Sequence, residues 1–123
     1  NTLWGYSYPE NDWEEIPSPR TQPSPRYWQM ADFEQFSGCL FLFGGNGGNG
    51  FLADTWLFDT ATKIWKKTSV KDAPAPRINA AIVYNPARDA ILLFGGFAED
   101  RSSFQDTWIF TQAETEQEWR KIQ

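Results

Sequence analysis

The chain has no histidine and a single cysteine among its 123 residues. Zinc sites of the usual kinds draw on imidazole and thiolate ligands, so none can form within one copy. An internal disulfide is excluded for the same reason, and Cys39 alone does not fix a redox compartment. No apolar run approaches the roughly 20 residues a membrane-spanning helix needs, and no basic-then-apolar leader is present. The expectation is a soluble protein, its compartment open but with the cytoplasm favoured. Eleven Lys and Arg stand against 16 Asp and Glu, a net charge of −5 that argues against a phosphate-backbone partner. Neither nucleic acid nor membrane is expected as a partner. Helical periodicity is also missing from every segment.

What is present is aromatic and repetitive. Aromatics make up 17% of the chain, seven of them Trp, and nine Gly with eight Pro punctuate short segments, as expected when strands alternate with turns. Residues 39–45 read Cys-Leu-Phe-Leu-Phe-Gly-Gly, and residues 90–96 read Ala-Ile-Leu-Leu-Phe-Gly-Gly, 51 positions later. Five apolar residues stopped by two glycines suit a strand buried on both faces, not a helix. Pro25-Arg26 recurs as Pro76-Arg77, again offset by 51, and Asp54-Thr55-Trp56 as Asp106-Thr107-Trp108, offset by 52. A closing tryptophan appears at Trp13, Trp65 and Trp119. In the first, partial copy Leu3 is placed where the later copies have Trp56 and Trp108. The anchors thus run through two full repeats and the back half of a third, with boundaries expected at 1–16, 17–68 and 69–123.

Taken in order, strands are expected at 2–8 and 13–16, then an extended surface connection over 17–25, which holds four prolines. Strands follow at 27–34, 39–43, 54–58 and 64–67. After a second proline-bearing connection come strands near 78–84, 90–94, 106–110 and 118–122. Four antiparallel strands per repeat of about fifty residues point to an all-β protein built of β-propeller blades.

The order Pro-Arg, apolar strand, Gly-Gly, Asp-Thr-Trp and spaced Trp resembles the kelch repeat over nearly the whole chain. It departs in having Gln29 and Ala80 where kelch repeats often carry His. The resemblance implies a propeller, incomplete in this chain, that acts as a protein-interaction scaffold through loops at one end. Galactose-oxidase-like enzymes share such propellers, but their copper site uses His, so that activity does not transfer. A carbohydrate-binding or enzymatic propeller with its active residues outside this chain is the alternative.

Physics accounts for the anchors independently. Blades pack face to face, which calls for central strands apolar on both sides. Trp56, Trp65, Trp108 and Trp119 are expected to fill the space between blades, and Gly44, Gly45, Gly95 and Gly96 to end the buried strands. Asp54 and Asp106 are expected to accept hydrogen bonds from backbone or from Arg26 and Arg77.

Motifs that invite chemistry have bland readings. Residues 45–50, Gly-Asn-Gly-Gly-Asn-Gly, match a dinucleotide fingerprint, but a strand rather than a helix follows and the second repeat keeps none of it. The acidic residues Glu10, Asp12, Glu14 and Glu15 fit a solvated rim. No catalytic residues, metal or cofactor are expected. Binding falls to the loops at 17–25, 46–53, 69–75 and 97–105, with Arg20, Gln22, Arg26, Asn46, Asn49, Phe51, Arg77, Phe97, Arg101 and Phe104 as contact candidates. Phe51 and Phe104 could equally tuck against the blade. A closed ring takes four to eight blades, so the remaining positions call for further blades or other copies of the chain. Self-assembly is the less favoured of these, because half-blades would be left needing partners.

Overall fold

The computed structural model describes residues 2–17, 20–112 and 116–123. Ten antiparallel strands and no helix form among them: β1 Leu3–Ser7, β2 Asp12–Ile16, β3 Met30–Glu34, β4 Cys39–Phe43, β5 Thr55–Asp59, β6 Ile64–Lys67, β7 Ala81–Asn85, β8 Ala90–Phe94, β9 Thr107–Gln112 and β10 Gln117–Lys121. They fall into a two-stranded sheet, β1-β2, and two four-stranded sheets, β3-β4-β5-β6 and β7-β8-β9-β10. Each sheet is a meander of consecutive antiparallel strands, with the longer loops 44–54 and 95–106 between the two middle strands of the four-stranded sheets. The all-β, incomplete-propeller architecture expected from the repeats is what forms.

The strand expected at 27–34 begins only at Met30. Tyr27 instead makes an isolated bridge to Asn46, and Trp28 sits at φ 57°, outside strand geometry. A second correction concerns the partial repeat. Trp4 pairs with Glu15 and Tyr6 with Trp13, just as Trp56 pairs with Lys67 and Phe58 with Trp65. Trp4, not Leu3, therefore holds the position of Trp56, and Leu3 holds that of Thr55. The shifted alignment followed from reading only the Asp-Thr-Trp triplet, which the first copy lacks.

Each sheet packs face to face on the next. One face of β4 and β5, through Phe41, Phe43 and Leu57, meets Ile91, Leu93, Phe110 and Trp119 of the third sheet. The opposite face, through Leu42, Trp56, Phe58 and Trp65, meets Leu3 and Ile16 of the half-blade. The alternation of side chains along a strand makes both faces of the middle blade apolar. Trp119 lies in the centre of the inter-blade core, its ring 5.3 Å from Phe43 and Phe110 and 5.8 Å from Phe41. Its indole N–H donates to Thr55 Oγ1 across the interface at 2.9 Å. The inner strands β3 and β7 lie side by side, where Asp32 accepts the Tyr84 backbone N–H at 2.6 Å.

Comparison of repeat equivalents on the two blades shows what a covering blade does. Phe43 is 0% exposed under the third blade, whereas Phe94, its counterpart 51 residues later, is 55% exposed. The two side chains have the same sequence context, and only the covering blade differs.

The paired glycines end the buried strands for a steric reason. Gly44 has φ 64° and a Cβ there would stand 2.9 Å from the Arg77 carbonyl oxygen; at Gly96, φ 94°, it would stand 2.8 Å from the Ile78 oxygen. A left-handed backbone this close to a neighbouring chain segment admits no side chain.

Candidate functional surface

All the long connections emerge at one end of the sheets, and two ion pairs fix their bases. Arg26 donates to both carboxylate oxygens of Asp54 at 2.6 and 2.9 Å, and to the Gly44 carbonyl at 3.1 Å. Arg77 repeats the arrangement on Asp106, at 2.6 and 3.0 Å, and on the Gly95 carbonyl at 2.8 Å. Each aspartate also accepts the indole N–H of the tryptophan two residues on, Trp56 or Trp108, at 2.7 Å. The fork of the guanidinium matches two carboxylate oxygens at once, which gives direction as well as attraction. For Asp106 the Arg77 hydrogen bonds hold the carboxyl below the usual carboxylate range. For Asp54 burial works upward, but the Arg26 and Trp56 hydrogen bonds outweigh it and the net direction is down.

These clamps settle the position of several candidates. Arg26 and Arg77 are buried, their guanidiniums committed to the clamps, so neither is free to reach a partner. Phe104 is half-buried with its ring face 3.9 Å from the Arg77 guanidinium carbon, and it too belongs to the clamp. Phe51 is half-buried and bridges to Asn46. Asn46 turns its side-chain oxygen onto the Gly48 N–H at 2.8 Å, which shapes its own loop. Asn49, Arg101 and Arg20 are exposed, Phe97 is about half exposed, and Gln22 is partly covered beside Leu3 and Leu40.

The loops are stitched into one rim. Gly45 N–H donates to the Arg77 carbonyl at 3.1 Å and Arg77 N–H to that of Leu52, joining adjacent blades. Tyr27 exchanges backbone bonds with Asn46, Ile78 with Phe97, and Asn79 N–H reaches the Trp28 carbonyl at 3.5 Å. Two residues the sequence reading passed over stand out on this rim. Trp28 is 54% exposed, Tyr27 nearly as much, and their rings meet edge-on at 4.9 Å. The matching residues of the next repeat are Ile78 and Asn79, and both Trp28 and Asn79 have φ near +55°. Asparagine tolerates the left-handed region, but tryptophan does so at a cost of about 1–2 kcal/mol. Nothing in the repeat requires an aromatic there. Their position directly after Pro25-Arg26 was the available signal, hidden because a strand was expected to begin at Tyr27.

No group of three or more His, Cys, Asp or Glu among the described residues is arranged to hold a metal ion. Glu10, Asp12, Glu14 and Glu15 all lie exposed at or beside β2, with Asp12 accepting its neighbour's N–H and Glu14 facing Lys63 at 3.6 Å. At the opposite end of the blades Glu34 is buried; desolvation raises its pKa, partly offset by the Ser37 hydroxyl, with Asp89 adding to the rise.

The KLHDC2/KLHL20/DRC7 Kelch-repeats domain matches residues 1–123. The chain belongs to the kelch-repeat family. Curated relatives include tRNA wybutosine-synthesizing protein 4 of Aspergillus fumigatus, 28% identical over 97 residues, covering 76% of the chain and 9% of that protein. The Emericella nidulans protein of the same name is 32% identical over 83 residues, 63% of the chain and 8% of that protein. Human multiple epidermal growth factor-like domains protein 8 is 27% identical over 100 residues, 80% of the chain and 3% of that protein. The kelch chain thus spans less than a tenth of the length of the relatives it matches.

Proposed function

We propose that this chain is a kelch-type propeller segment, with blade units at 1–16, 17–68 and 69–123, whose loop rim holds a protein partner. The observation that carries the reading is the half-exposed cluster Tyr27, Trp28 and Phe97 on a rim whose bases are clamped by buried Arg–Asp pairs. Rigid support under exposed aromatics is the composition of a binding hot spot, where large rings are buried at small entropic cost. The strained backbone at Trp28 points the same way, since strain persists where the surroundings and a function hold it. Asn49 and Arg101, both exposed on neighbouring loops, would supply the polar margin, with Arg20 further out. Arg26, Arg77 and Phe104 act as supports rather than contacts. We assign this chain no catalytic role.

The test uses affinity capture with the intact protein, a variant carrying Tyr27→Ala, Trp28→Ala and Phe97→Ala, and a control carrying Tyr8→Ser and Phe36→Ser at the opposite rim. Loss of the captured proteins from the loop variant alone is the expected result. Equal capture by the loop variant would refute the reading, and saturable binding to a glycan array with nothing captured would favour the carbohydrate-binding alternative.

A further inference from the structure

The two Arg–Asp clamps differ at one exposed side chain. Residues 23–26 read Pro-Ser-Pro-Arg, and residues 74–77 read Pro-Ala-Pro-Arg. Arg26 makes five hydrogen bonds: Nε donates to the Ser24 carbonyl at 3.0 Å, Nη1 to the Gly44 carbonyl and Asp54, and Nη2 to Asp54 and to Ser24 Oγ at 3.2 Å. Arg77 builds the same clamp on the Ala75 carbonyl, the Gly95 carbonyl and Asp106 without any hydroxyl. The Ser24 hydroxyl is therefore not needed to hold a clamp. Its bond to Arg26 is the longest of the five and ends on a neutral oxygen, where a charged acceptor would bind the guanidinium more tightly.

Ser24 is exposed, and so is Ala75, which stands between two complete four-stranded blades. Exposure at this position thus belongs to the repeat and not to the half-blade beside it. The flanking prolines shape the segment: a residue before proline is pushed to extended backbone, and Pro25 offers no N–H of its own. Ser24 lies outside every strand, in the connection between β2 and β3. A kinase that reads serine followed by proline can take up such an extended segment without unpairing a sheet. Of the chain's serines and threonines only Ser18 and Ser24 precede a proline, and Ser18 lies outside the described residues.

We propose that Ser24 is a phosphorylation site for a proline-directed protein kinase, with Arg26 as the cation that receives the phosphate. Oγ attacks the γ-phosphorus of ATP. The Oγ–P bond forms, the bond from that phosphorus to the ADP oxygen breaks, and the hydroxyl proton passes to the kinase's catalytic base. The product carries about −1.5 to −2 charge at pH 7, beside the Nη2 hydrogen that Ser24 Oγ accepts in the unmodified chain. Phosphate and Asp54 then share one guanidinium, which ties the proline-rich connection to the base of the loop rim. Ala75 gives the second clamp no such site. This inference is independent of what the loop rim binds.

The test incubates the intact protein with a proline-directed serine/threonine kinase and MgATP, maps the product by tandem mass spectrometry and follows the phosphate by phosphorus NMR. A peptide spanning residues 20–28 shows whether the kinase reads the sequence. The expected result is phosphate on Ser24 of the folded protein, and none at that position in Ser24→Ala, which copies the Ala75 clamp. The phosphate's second pKa should lie below its value of about 6 in the same protein unfolded in urea, since a neighbouring cation favours the dianion. A peptide left unmodified, a modified peptide beside an unmodified folded protein, phosphate confined to other residues, or a native pKa at or above the unfolded value would each overturn the proposal.

Discussion

Removing the Trp119 side chain should be among the most damaging single changes available. The ring is almost fully buried, contacts Phe41, Phe43 and Phe110, and donates to Thr55 across the blade interface. A buried aromatic removes about 150–250 Å² from water, which at roughly 25 cal/mol per Å² gives about 4–6 kcal/mol as an upper bound. Measured losses for such truncations run at about 3–5 kcal/mol, and that is the expectation for Trp119→Ala. Trp119→Phe keeps most of the packing and leaves Thr55 Oγ1 without its donor, a loss of about 1–2 kcal/mol. Thr55→Val leaves the indole N–H unpaired at a similar cost. The double variant removes both partners, so its loss should fall short of the sum of the singles by about 1 kcal/mol. Urea unfolding followed by far-ultraviolet circular dichroism reads all four. Trp13→Ala is the internal control, expected to cost under about 0.5 kcal/mol because its position is on the surface. Equal losses for Trp13→Ala and Trp119→Ala would refute the reasoning, since repeat position rather than a covering blade would then set the energy.

Other expectations concern the clamps, the turns and the surface. Trp65→Ala should lower stability by about 3–5 kcal/mol, since the ring is buried against Trp56 and Phe58; a thermal melt with no shift would sink its role between blades. Asp106→Ala should cost about 3–5 kcal/mol by leaving the buried Arg77 guanidinium unpaired, read by urea unfolding. The folded-state pKa values of Asp54 and Asp106 are depressed, so their contribution is present above the unfolded value near 3.9 and lost as pH falls through the folded ones. The urea midpoint should therefore drop below about pH 4, and less steeply in Asp106→Asn. Gly96→Ala should destabilise by at least about 1–3 kcal/mol, through its left-handed φ and the 2.8 Å approach to the Ile78 oxygen. Glu14→Gln, at an exposed ion pair with Lys63, should change stability by under about 0.5 kcal/mol.

The fold was largely legible because its anchors carry their own physics. The apolar strand ended by Gly-Gly, the Arg and Asp recurring in step, and the spaced Trp mark out the blade: β4 is buried on both faces, Arg26 and Arg77 pair with Asp54 and Asp106, and Trp65 and Trp119 lie between sheets. Function was harder to read. Arg26 and Arg77 have the residue type of a contact but the environment of a support, and only the bidentate bonds to Asp54 and Asp106 decide between them. Phe104 gives the same lesson, since a loop phenylalanine proved to lie over Arg77. Tyr27 and Trp28 were missed for the opposite reason. Aromatic residues next to an expected strand look like core, and the left-handed turn that lifts Trp28 into solvent leaves no mark in composition. Phe43 and Phe94 set the limit of a one-dimensional reading: their contexts match, and only the neighbour in space separates them.

The clamped loop rim is proposed to touch a protein partner. The most direct measurement places a photo-cross-linking phenylalanine derivative at position 28 of the intact protein, and separately at exposed position 36 on the opposite rim, followed by irradiation in cell lysate and mass spectrometry of the adducts. A discrete protein adduct is expected from position 28 and none from position 36. The same adducts from both positions, or adducts from position 36 alone, would contradict it.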